Sequence, residues 1–218
     1  MTTVKIDEII RILKKEYPGW QTPIITKIAN RHGQAFKILI STILSLRTKD
    51  DVTEQATKRL FILARSPRKM AKLKADKIEK AIYPAGFYRT KAIKIINICK
   101  RLVGEFGGRV PDNLDTLLTF DGVGRKTANL VITKAFQKPG ICVDTHVHRI
   151  SNRLGYLKTE TPYHTEMELR KILPEKYWII INDLFVAFGQ NHCKPVSPFC
   201  STCRISQYCN RIGVKHYR

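Results

Sequence analysis

Apolar residues recur along this chain at steps of three and four. Ile6, Ile9, Ile10, Leu13 and Tyr17 fall on one face of a first helix, stopped by Pro18 and Gly19. Phe36, Leu39, Ile40, Ile43 and Leu44 mark another. Residues 51–64 and 75–82 read as helices divided by Ser66 and Pro67. Ile93, Ile96, Leu102, Val103 and Phe106 predict a long helix, closed by Gly107-Gly108 and then Pro111. Leu114 to Phe120 reads as a short helix. A further one is expected from Thr127, on Ala128, Val131, Ile132, Ala135 and Phe136. Tyr177 to Phe188 is apolar nearly all round and predicts a buried helix ended by Gly189. No segment alternates with period two, so the expected fold class is all-α with short connections.

Composition narrows the class. The 218 residues are 43% hydrophobic, enough for one large or two small cores. Lys and Arg number 39 against 18 Asp and Glu, a net charge of +21. The basic residues are spread along the whole chain, and such a field points to a polyanion, nucleic acid first. A well-solvated surface is the plainer reading of any one basic face. No stretch approaches the roughly 20 apolar residues of a membrane span. The first 15 residues are charged and amphipathic, unlike a signal peptide. A cytoplasmic, nucleoid-associated protein is the expectation. Its six cysteines are then metal ligands or buried thiols before they are disulfides. Cys99 and Cys142 stand alone in apolar surroundings and read as core.

Three segments carry chemistry. The first is Asp121-Gly122-Val123-Gly124-Arg125, between two expected helices. Its glycines permit backbone conformations barred to other residues and remove side chains where something approaches closely. Backbone N–H groups and a helix N-terminus then form an anion site, suited to a phosphate that sets register without reading sequence. A tight structural turn is the alternative. A P-loop is not, because Arg125 intervenes where a glycine must directly precede Lys126-Thr127. Lys126 follows the turn. A lysine attacks only when neutral, and a helix N-terminus and the adjacent Arg125 both disfavour the ammonium form. By count alone it is one solvated lysine among many.

The second segment is Val143-Asp144-Thr145-His146-Val147-His148-Arg149. Asp144 precedes an expected helix through Asn152 and Leu154, where it could serve as N-cap. A carboxylate also stabilises the cation-like sugar of a breaking glycosidic bond and helps take a proton. His146 is a weaker candidate: such a ring can shuttle a proton, but more often it packs or touches phosphate. The third segment is Cys193, Cys200, Cys203 and Cys209, spaced C-x6-C-x2-C-x5-C. Four thiolates in one loop suit a [4Fe–4S] cluster. Structural zinc is the alternative, but zinc sites usually pair two close couplets, and only Cys200 and Cys203 make one here.

The three segments, in this order, resemble the endonuclease III family of DNA repair glycosylases, and the resemblance covers nearly the entire chain. It implies two helical domains with a cleft between them: a helical barrel with the helix-hairpin-helix over 28–137, and a second domain of 1–27 and 138–218 carrying the cluster loop. It implies that Gly122, Val123, Gly124, Arg125 and Thr127 grip DNA, that Lys126 and Asp144 are catalytic, and that Cys193, Cys200, Cys203 and Cys209 hold a [4Fe–4S] cluster. The target base must leave the duplex. Two loops resemble those that fill the gap: Leu44 to Asp50, with Arg47 where the family commonly has Gln, and Gly86 to Ala92, with Phe87 as the wedge. Phe87 reads equally as a core aromatic. Arg offers only donors where Gln offers both, which bears on base preference. The family usually has Pro at Asp121.

The implied activity is a bifunctional DNA glycosylase and AP lyase that removes oxidised pyrimidines and cuts 3′ to the abasic site. The chain would act as a monomer on duplex DNA. A mismatch-specific glycosylase of the same superfamily shares the fold, but is expected to differ at Lys126. A non-catalytic iron–sulfur DNA-binding or electron-transfer protein would fit the charge and the cysteines. The presence of both Lys126 and Asp144 argues against it.

Overall fold

The computed structural model describes residues 4–32 and 35–218. Along the chain run α1 (Ile6–Glu16), α2 (Ile24–His32), α3 (Ala35–Ser45), α4 (Asp50–Leu63), α5 (Pro67–Met70) and α6 (Ala75–Ile82). They continue with α7 (Tyr88–Glu105), α8 (Leu114–Leu118), α9 (Arg125–Ala135), α10 (Thr145–Leu154), α11 (Pro162–Ile172) and α12 (Ile181–Asn191). The fold is all-helical, with no strand among the described residues. No helix among them is long and apolar enough to cross a membrane.

The chain divides into two compact units. One is Ile24–Lys138; the other joins the chain up to Pro23 with Pro139–Arg218. In the first, α3 is the central helix, buried from Ile38 to Leu44 and packed on α9, α4 and α7. Asp50 receives the Ile24 N–H at 3.2 Å and ties the start of α2 to the start of α4. Ser66 does more than divide helices. Its hydroxyl accepts from Lys69 N–H at 3.4 Å and caps the short α5, with Pro67 in the first helical position. The buried face of α7 is Ala92, Ile95, Ile98, Cys99 and Leu102. Ile93, expected on that face, is 54% exposed. The apolar stripe is broad enough to fit more than one face, and packing selects Ile95 and Cys99 for its centre.

In the second unit, Ile6, Ile9, Ile10 and Leu13 of α1 meet Val147, Ile150 and Leu154 of α10 and Leu184, Phe185 and Phe188 of α12. Each such side chain, fully buried, contributes about 1.5–3 kcal/mol. Tyr177 Oη donates to Asp7 Oδ1 at 2.6 Å, and Lys176 pairs with the same oxygen at 2.9 Å. Tyr177 itself lies in a 3₁₀ turn, so α12 begins at Ile181. It also runs past Gly189 to Asn191; the glycine lies inside the helix. Cys99 and Cys142 are buried, as expected, and no disulfide joins any of the six cysteines.

Candidate functional site

In the unit Ile24–Lys138, α8 and α9 flank the glycine turn. Asn113 caps α8 by accepting from Thr116 N–H at 2.9 Å. Phe120 and Val123 plug the turn into the core, at 2% and 5% exposure. Gly122 has φ +80, the left-handed region that favours glycine. Gly124 has not: at φ −90 and ψ 178 it is extended, and it serves as the N-cap of α9. With no side chain, it leaves the first turn of α9 without a side-chain cap. Its face is open, with nothing within 4 Å of where a Cβ would stand.

Helix α7 braces this turn. Arg101 donates to Thr119 O at 2.7 Å and lies 4.6 Å from the Phe120 ring centroid. Lys94 pairs with Asp121 at 3.3 Å, so the acidic residue beside the turn has a cation of its own.

Lys126 is exposed in the first turn of α9. Immediately after it the helix enters the core, with Thr127 at 2% and Ala128 at 0% exposure. The lysine stem therefore starts from a fixed point. Arg125 is half-buried. The side chains of Val123 and Thr127 face the core, and the Val123 N–H is already given to Phe120 O at 3.0 Å. Through these two side chains the turn is anchored in the core.

The other unit holds Asp144. Its Oδ1 accepts from the N–H groups of His146 and Val147 at 2.9 and 3.0 Å, so it is the N-cap of α10. Its Oδ2 stands 3.2 Å from His146 Nδ1. The carboxylate is thus aimed by two amides and a ring. The same helix clasps the cysteine loop at its other end. Arg149 donates to Cys193 O at 2.9 Å. Arg153 donates to Cys193 Sγ at 3.3 Å, Lys194 O at 2.8 Å and Pro195 O at 3.1 Å. Asn210, just past the last cysteine, donates its backbone N–H to Leu154 O at 3.2 Å. Ten residues of α10 thereby connect the aspartate to the loop.

Cys193, Cys200, Cys203 and Cys209 line a common pocket, closed by Ile150, Leu154, Phe188 and Phe199. Among the described residues no three His, Cys, Asp or Glu side chains form a group that could hold a single metal ion. Burial first, and charge on the neighbouring thiols after it, raise the thiols of Cys200 and Cys209, and that of Cys203 to about 11. Such a ring is stable as thiolates when positive charge is placed among them. Four thiols lining one pocket are the kind of donor set that an iron–sulfur group takes.

Arg47 and Phe87 come together in the first unit. Phe87 is 61% exposed, which removes the core reading. The Arg47 guanidinium lies over its ring, 5.4 Å from the centroid.

Residues 40–175 match the model of the HhH-GPD superfamily of base excision DNA repair proteins. Endonuclease III of Thermotoga maritima is 46% identical over 204 residues, covering 94% of this chain and 92% of that one. The chain belongs to the endonuclease III family. It is accordingly an enzyme of base excision repair. Two solved endonuclease III structures, one a non-covalent complex with DNA and one a trapped covalent intermediate with DNA, each superimpose with a TM-score of 0.86 at 34% identity. Both alignments cover 97% of this chain, and 96% and 97% of those chains.

Within this endonuclease III-family chain, three structural residues escaped the sequence reading. Gly189 makes room for the His146 ring, Arg153 holds the first cysteine, and Lys91 joins the Arg47 and Phe87 loops. Arg153 lies four residues past the segment that begins at Val143, and its partner lies 40 residues further on.

Proposed function

We propose that this protein removes oxidised pyrimidines from duplex DNA, working as a single chain, and then cuts the strand 3′ to the abasic site. The observation that carries the reading is the placement of Lys126: exposed, the second residue of α9, two residues after the open glycine cap Gly124. A helix N-terminus behind an open glycine suits a DNA phosphate. A phosphate held there brings the neighbouring sugar towards the lysine stem.

In this reading the neutral Lys126 amine attacks C1′ of the flipped nucleotide. The glycosidic C–N bond breaks, and its electron pair leaves with the base, which is protonated. The Asp144 carboxylate stabilises the positive charge that develops on the sugar. Loss of protons from the lysine nitrogen and ring opening leave an imine. The imine acidifies the C2′ proton; its removal expels the 3′ phosphate. Hydrolysis of the imine frees Lys126.

Gly122, Gly124 and Arg125 would position the backbone, with Val123 and Thr127 as internal supports. Arg47 and Phe87 would enter the gap left by the base. His146 would keep Asp144 aimed. Cys193, Cys200, Cys203 and Cys209 would hold a [4Fe–4S] cluster, whose contribution is to order the loop bearing Lys194, Arg204 and Arg211.

A 5′-labelled duplex with one thymine glycol tests the activity. The expected product is a cut strand ending in an unsaturated aldehyde, formed without heat or alkali. Base loss that leaves the strand intact until alkali is added would contradict the lyase half.

A further inference from the structure

Lys91, in the first turn of α7, is only 5% exposed. A lysine is costly to bury unless its charge is met. Here its Nζ donates to Leu44 O at 2.7 Å, Leu46 O at 2.6 Å and Thr48 Oγ1 at 2.9 Å. Three protons meet three oxygens. Leu44 lies in the last turn of α3 and Leu46 just beyond it, where carbonyls lack helical partners and carry the negative end of the dipole. Burial pushes Lys91 down to about 8; the three oxygens favour the ammonium form.

The second link between the loops is Thr48, whose hydroxyl also accepts from Gly86 N–H at 3.1 Å. The backbones meet closely there, because a Cβ on Gly86 would collide with the Arg47 carbonyl oxygen. On either side of this junction Arg47 and Phe87 sit in the left-handed region, at φ 51 and 56. Non-glycine residues hold that conformation only when their surroundings impose it. What surrounds them is the Lys91 junction, and what they present outward is the guanidinium stacked on the exposed ring.

We infer that Lys91 is a positioning residue for base extrusion: it locks the loops of Arg47 and Phe87 into one rigid double wedge that enters the base stack as a unit. The inference rests on reading Arg47 and Phe87 as the gap-filling pair. Lys91 touches no substrate. It acts by fixing two strained backbones in advance, so that binding does not have to order them.

The test compares two substrates under single turnover with the full-length holoprotein. One is a duplex with a thymine glycol, whose base must be extruded. The other is an abasic site in a single-stranded oligonucleotide, where there is no stack to enter. Lys91→Met keeps the stem and removes the donors. It is expected to slow the duplex reaction by about 10- to 100-fold, the scale of a misplaced group, and to leave single-strand cutting unchanged. Phe87→Ala is expected to slow the duplex reaction by a similar factor, and the double variant to be no slower on duplex than the worse single one. If Phe87→Ala leaves the duplex rate at wild type, the wedge reading fails and the role of Lys91 falls with it. If Phe87→Ala slows the duplex alone while Lys91→Met slows both substrates equally, or neither, the wedge stands and the inference about Lys91 is overturned. Should Lys91→Met not fold, Thr48→Val cuts the same junction from a less buried position. It must slow the duplex reaction selectively; wild-type rates on both substrates would overturn the inference.

Discussion

A Cβ atom on Gly189 would stand 2.5 Å from Cδ2 of the His146 ring. It would also stand 2.9 Å from a terminal nitrogen of Arg149. The glycine lies inside α12, against which α10 packs. One missing methyl group therefore lets the ring sit where its Nδ1 reaches Asp144. Gly189→Ala should destabilise the protein by about 1–3 kcal/mol through overpacking, read as a lower urea midpoint. It should also slow base release, because the ring is displaced from the carboxylate. Unchanged stability and rate would mean that α12 gives way freely there.

Asp144 has a structural and a chemical task, and two substitutions separate them. Asn keeps an oxygen to accept from the His146 and Val147 amides but carries no charge. Asp144→Asn should leave thermal stability close to wild type and slow base release strongly. Asp144→Ala loses the cap as well, and should cost about 0.5–2 kcal/mol of stability in addition. If the Asn variant excises bases at the wild-type rate, Asp144 is a cap and nothing more.

The net charge of +21 predicts how undamaged duplex is held. Each phosphate neutralised by Lys or Arg releases counterions, so log affinity should fall linearly with log salt, with a slope of about −0.9 per contact. A fluorescence anisotropy titration at several salt concentrations measures it. A flat response would show that the basic surface is not the binding surface.

The cysteine pocket predicts a brown protein. Anaerobically purified material should hold about four iron and four sulfide per chain. Removing the cluster should expose Cys193 to Cys209 to alkylation and loosen the loop that Arg153 and Asn210 pin to α10. Stoichiometric zinc without iron would contradict the assignment.

Much of this was legible in the residue order. The faces of α1, α3 and α9 follow helical spacing, and each of the three chemical segments is contiguous in sequence. Asp144 was readable as a cap because its partners are two and three residues away. What stayed hidden is long-range. Helix α11 is the exception: its start signal is local, Thr161 and Pro162, with the Thr161 hydroxyl accepting from His164 N–H at 3.2 Å, and the spacing of its apolar residues does not announce it. Gly189 looked like a helix stop, because sequence shows a missing side chain and not what fills the space. Phe87 could be core or wedge, since a lone aromatic carries no period. Lys91 was one cation among 39 Lys and Arg, and its acceptors lie 43 to 47 residues away.

The central claim is that Lys126 is the nucleophile. Borohydride added during reaction with abasic or thymine glycol duplex should reduce the imine and fix the protein to DNA. Peptide mapping should place the adduct on Lys126. Lys126→Gln should abolish trapping and strand cutting yet bind duplex normally, because the open cap at Gly124 and the amides of α9 remain. Trapping at the wild-type level in Lys126→Gln, or an adduct mapped to another residue, would contradict the account.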